Sequence, residues 1–118
     1  NGSADFVNKY IRSLTLPVIF AADTNLTIDM PEYKKLLGEN LVNAFDIKKE
    51  LSLIGKYKSE RELCYSAKGS KFPECRVDHF LLSKNSPWKV ERFLLDTLKT
   101  RDGGFPSDHR PVIIQLSE

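Results

Sequence analysis

Three short polar clusters interrupt or terminate apolar runs: Asp23-Thr24-Asn25, Asp78-His79 and Ser107-Asp108-His109. Each polar group costs about 1–3 kcal/mol if buried without a partner, and a charge costs more, so a fold keeps several only by pairing them or using them. Their types suit attack of water on a phosphorus centre. A carboxylate such as Asp23 orients and deprotonates the nucleophile, and an amide such as Asn25 holds a phosphate or the attacking oxygen. An imidazolium such as His109 neutralises charge growing on the phosphoryl oxygens. An imidazole stays charged near neutrality beside a carboxylate, which is a role for Asp78. Asp108 offers the hard oxygen that magnesium prefers. Taken singly, Asp23-Thr24-Asn25 reads as an Asx turn after a strand and Asp108-His109 as a loop pair. Asp78 inside an apolar strand demands a partner, and the three clusters together point to one shared pocket.

These groups need rigid elements to bring them together. Val18 to Ala22 is a short unbroken apolar run that predicts a strand covered on both faces and ending at Asp23. Arg76 to Ser83 predicts a second strand, and Pro111 to Leu116 a third that begins just past His109. Phe6, Val7, Tyr10, Ile11 and Leu14 have helical spacing, with Ser3 as N-cap and Leu16-Pro17 as the stop. Pro31 opens and Gly38 closes a short helix through Leu37. Leu41 to Ile47 is expected as a strand, Lys48 to Glu62 as a weak helix or surface loop, and Cys64 to Ser66 as a strand. Trp88 to Thr100 fits either period.

The chain has 118 residues, 41% of them hydrophobic, enough for one modest core and too few for two linked domains; residues 1–118 are read as a single α/β domain. With 18 basic against 16 acidic side chains, the net charge of +2 supports no polyanion-binding surface by itself. Lys48, Lys49, Lys56 and Lys58 read as a solvated face, and Trp88 and Phe93 as core aromatics. No apolar run reaches the roughly 18 residues of a membrane span, and the expected location is intracellular and soluble, nuclear or cytoplasmic. Cys64 and Cys75 are read as reduced thiols, with one bridge as the alternative. A zinc site from Cys64, Cys75, His79 and His109 is disfavoured, because their spacing matches no finger or ribbon.

In order and spacing, three segments resemble the last three motifs of the endonuclease/exonuclease/phosphatase superfamily. They are Val18-Ile19-Phe20-Ala21-Ala22-Asp23-Thr24-Asn25, Arg76-Val77-Asp78-His79-Phe80-Leu81-Leu82-Ser83 and Phe105-Pro106-Ser107-Asp108-His109-Arg110-Pro111-Val112. The wording of these motifs, with the Cys64-Tyr65 and Cys75-Arg76 pairs, is most similar to 5′-tyrosyl-DNA phosphodiesterases. The resemblance implies that Asp23 positions the nucleophile, Asn25 contacts the phosphate, Asp78 orients the histidine, His109 stabilises phosphoryl charge, and Asp108 lies near magnesium, with manganese as the alternative ion. It also implies a strand over Trp88 to Thr100. Ala22 stands where the family usually has glycine. His79 is surplus, and as the neighbour of Asp78 on a strand it is expected to face the other way, as a satisfied structural or surface histidine instead of a catalytic one.

The resemblance covers only the C-terminal half of the superfamily's four-layer α/β/β/α sandwich, that is, one sheet plus helices. The first half, with its metal-binding Glu, has no counterpart here. The expected activity is metal-dependent phosphodiester hydrolysis, of 5′-tyrosyl-DNA or another nucleic-acid substrate. The alternatives are a half-domain serving as a binding module, or a lipid or inositol phosphate phosphoesterase. A bare sheet face would call for a covering partner, either the missing N-terminal half or a second copy of the chain.

Overall fold

The computed structural model describes residues 2–55, 63, 72, 75–104 and 109–118. Helix α1 (Gly2–Arg12) is followed by β1 (Ile19–Asp23), α2 (Pro31–Leu37), β2 (Leu41–Asn43), α3 (Ala44–Lys48) and β3 (Leu51–Ile54). After these come β4 (Asp78–Ser83), β5 (Lys89–Asp96) and β6 (Val112–Ser117). The mixed α/β class expected from the sequence holds. Among the described residues the strands divide between two three-stranded sheets, β1-β4-β2 and β3-β5-β6, where a single sheet was expected.

Strand β4 is the hinge of the architecture. It runs antiparallel to both β1 and β2, and its alternating side chains enter two different cores. Leu81 packs with Ala4, Ile11, Leu36 and Leu41 beneath α1 and α2. Leu82 packs with Ala44, Val90 and Phe93 against the second sheet, where Phe80, Val112 and Ile114 join it. Both leucines are fully buried.

Several local expectations change. Strand β1 alternates exposed and half-buried residues, so it is covered on one face only, and Ile19 is 46% exposed. Among the described residues β1 is an edge strand, paired with β4 on one side. Residues 44–48 turn into α3 because Asn43, buried at the end of β2, accepts a hydrogen bond from the Phe45 N–H and caps the helix. Leu51–Ile54, expected as helix or loop, is a strand parallel to β5. Residues 89–96 form a strand, as the family resemblance implied. The expected strand at 64–66 lies outside the described residues. Cys75, expected to be reduced, is disulfide-bonded and buried.

Helix α1 begins at Gly2, so Ser3 lies inside it instead of capping it, and it ends at Arg12, before Leu14. Its inward face is Ala4, Val7, Asn8 and Ile11, leaving Phe6 and Tyr10 exposed. Asn8 donates to the carbonyls of Lys35 (2.9 Å) and Leu36 (2.7 Å), and its own carbonyl accepts from Asn40 (2.8 Å), which ties α1 to the end of α2. Gly38, which stops α2 as expected, has φ +51°, and a Cβ there would lie 2.4 Å from the Asn8 amide.

Candidate active site

Two strand ends bring the first two carboxylates together. In the β1–β4 register Asp23 is directly opposite Asp78, and Ala22 is opposite His79, so both aspartates share one face and His79 takes the other. Two like charges across a strand pair repel each other unless a cation lies between them. His109, two residues before Pro111 leads into β6, comes to lie beside both. Its Nδ1 is 2.7 Å from Asp78 Oδ2 and its Nε2 is 3.9 Å from Asp23 Oδ2. The first distance is a short, charge-assisted hydrogen bond that commits Nδ1–H to Asp78. The second is too long for a direct hydrogen bond.

The turn after β1 aims the remaining group. Asn25 sits at φ +54°, a left-handed conformation that Asn tolerates better than most residues, and its N–H donates to Asp23 Oδ1 (3.0 Å). Its exposed side chain lines a cavity of about 240 Å³ together with Asp78 and His109. The structure therefore gathers Asp23, Asn25, Asp78 and His109 in one place. Asp108 lies outside the described residues.

Ligand atoms of Asp23, Asp78 and His109 lie within 4.8 Å of one another, so the two carboxylates present oxygen donors that fit magnesium, while His109 Nδ1 is already taken by Asp78.

Arg76 and Arg110 line the same cavity and were not singled out as site residues from the sequence. Arg76 is 4% exposed; its guanidinium stacks 4.5 Å above the Phe45 ring and lies 3.9 Å from an Asp46 oxygen. The signal that could have found both is position, since each flanks one of the polar clusters at the mouth of an apolar strand. His79, as expected, is on the opposite face, and it is buried.

No protein-family model matches the sequence, and a search of the curated proteins finds no match. Among solved structures, a mannosyl-6-phosphatase from Bacteroides thetaiotaomicron VPI-5482 superposes with a TM-score of 0.67 at 23% identity, over 98% of this chain and 45% of that one. An endonuclease/exonuclease/phosphatase family protein from the same species superposes with a TM-score of 0.66 at 24% identity, over 97% of this chain and 42% of that one. The chain thus spans less than half the length of either structure. Over that span it has the fold of the endonuclease/exonuclease/phosphatase superfamily.

Proposed function

We propose that the chain is the C-terminal half of a magnesium-dependent phosphoesterase of this superfamily. The observation that carries the proposal is the imidazole of His109 set beside two carboxylates from opposed strand ends, in hydrogen-bond contact with one and 3.9 Å from the other. Asp23 orients a water molecule and takes its proton as the water oxygen attacks phosphorus. The bond from phosphorus to the leaving oxygen breaks, and solvent protonates that oxygen. His109, held by Asp78, turns Nε2–H toward the phosphoryl oxygens, where negative charge grows, and the Asn25 amide contacts the phosphate. Asp108, by the motif it resembles, would hold magnesium, which would supply Lewis-acid neutralisation of phosphate charge when bound.

The substrate class follows from weaker support. The motif wording favours 5′-tyrosyl-DNA or another nucleic-acid phosphodiester, whereas the name of one structural neighbour favours a sugar phosphomonoester. The incomplete span supports a covering partner, either a first half carrying the metal-binding Glu or a second copy of this chain. It also supports the alternative of a half-domain that only binds. Hydrolysis of bis(p-nitrophenyl) phosphate, p-nitrophenyl phosphate, mannose 6-phosphate and a 5′-tyrosyl oligonucleotide, with magnesium and with or without a superfamily first half, separates these. Turnover abolished by His109→Ala supports the phosphoesterase. Absence of turnover on every substrate, even with a first half supplied, leaves the binding module.

A further inference from the structure

The loop carrying Asp23 and Asn25 is fastened from behind by residues that take no part in the mechanism above. Thr24 N–H donates to the Val77 carbonyl (2.9 Å), and its hydroxyl donates to the same carbonyl (3.0 Å) while accepting from Leu26 N–H (3.1 Å). One residue past Asn25, the Leu26 carbonyl lies 2.8 Å from His79 Nε2. His79 is 3% exposed.

The direction of that last bond can be deduced. Asn43 Oδ1 accepts from Phe45 N–H (3.0 Å), which fixes the amide so that its nitrogen faces the Tyr33 hydroxyl (2.9 Å) and His79 Nδ1 (3.2 Å). An amide N–H can only donate, so Nδ1 accepts and the ring proton is on Nε2, aimed at the Leu26 carbonyl. The Tyr33 ring, 5.1 Å away, packs against it.

We propose that His79 is a positioning residue: through Nε2–H it holds the Leu26 carbonyl and, with the Thr24 hydroxyl, fixes the turn that aims Asp23 and Asn25 at His109. This rests on the phosphoesterase reading for its catalytic consequence, but the fastening itself is a separate physical claim. Strand alternation explains why one short segment serves both ends: Asp78 reaches His109 on one face while its neighbour His79 secures the opposing loop from the other.

The test compares wild type with His79→Phe, which keeps a ring beside Tyr33 and removes the donor, His79→Gln, which restores an N–H donor at similar reach, and Thr24→Val, which removes only the hydroxyl. In His79→Phe, amide exchange at Thr24, Asn25 and Leu26 should accelerate by about tenfold more than at Leu81, Leu82 and Phe93. With magnesium and p-nitrophenyl phosphate or bis(p-nitrophenyl) phosphate, kcat should fall by about tenfold while KM stays within about twofold, because misaiming a nucleophile-orienting group costs the chemical step. His79→Gln should recover most of both losses. If His79→Phe does not fold, Thr24→Val carries the same expectation for exchange and kcat. Loop exchange that merely follows the core in a folded His79→Phe, or an unaltered loop in Thr24→Val, overturns the proposal. His109→Ala, run alongside, separates the two claims: if it hydrolyses like wild type, the phosphoesterase reading falls, and loop exchange alone decides the role of His79.

Discussion

His109 stands beside two carboxylates that face each other across a strand pair, and its Nδ1 hydrogen-bonds one of them at 2.7 Å. His109→Ala and Asp23→Ala should each lower turnover of the complete site by about two or more orders of magnitude, as expected for groups acting on transition-state charge, with the circular dichroism spectrum nearly unchanged. Asp78→Asn should cost less than His109→Ala, since the ring keeps a hydrogen-bonding neighbour. His79 supplies a pH signature of folding. Burial lowers its proton affinity from the ordinary value of 6.5, aided by Arg76 and opposed by the Leu26 carbonyl, Asp78 and Asp46. Below about pH 6.5 the unfolded chain therefore binds a proton that the folded chain refuses. This part of the stability is complete above that pH and is lost as pH falls toward the lowered folded value. Melting temperatures between pH 7.5 and 5 should decline in wild type and decline less in His79→Gln. Asp23, Asn25, Asp78 and His109 were all legible in the sequence, because polar groups at the ends of apolar strands are costly and so conspicuous. The roles of Thr24 and Arg76 were not, since a threonine in a turn and an arginine beside a strand look ordinary until their partners are known.

At the scale of elements, α1 is joined to α2 by one amide. Asn8→Ala removes three hydrogen bonds and leaves the last carbonyls of α2 unsatisfied, which should cost about 1–3 kcal/mol in urea unfolding. Gly38→Ala should cost a similar amount, about 1–3 kcal/mol, because it forces a Cβ into a left-handed φ and into the Asn8 side chain. Pro31 and Gly38 announced α2 correctly, since both act through their own backbone. The α3 cap was missed because Leu41 to Ile47 carries strand-like apolar residues, and only the commitment of the buried Asn43 side chain to the Phe45 N–H turns the chain into a helix. Strand β3 was missed for a related reason: its pairing partner β5 begins some forty residues later, and no local period reports a long-range ladder. The Cys75 disulfide should make the melting temperature sensitive to reductant, by an amount equivalent to about 2–4 kcal/mol.

For the whole molecule, the Cα radius of gyration of 15.1 Å exceeds the roughly 13.5 Å of a compact domain of this length, and Phe6, Tyr10, Leu16, Ile19 and Ile113 are exposed. An incompletely covered fold of this kind agrees with a span of less than half of each structural neighbour. If the proposal holds, EDTA should abolish hydrolysis and magnesium should restore it. Supplying a superfamily first half should raise turnover by about two orders of magnitude or more, as expected when a metal-binding carboxylate completes the site. The sequence by itself determined that Asp23, Asn25, Asp78 and His109 stand within or at the ends of apolar runs and that the runs of β1, β4 and β6 are strands, because residue type and spacing along one strand are local properties. Only the tertiary structure decided that Asp23 and Asp78 fall in register, that His109 closes the gap between them, and that a buried histidine fastens the loop from behind. Those facts depend on hydrogen bonds between segments far apart in the chain, whose register is set by how the two cores share the side chains of β4.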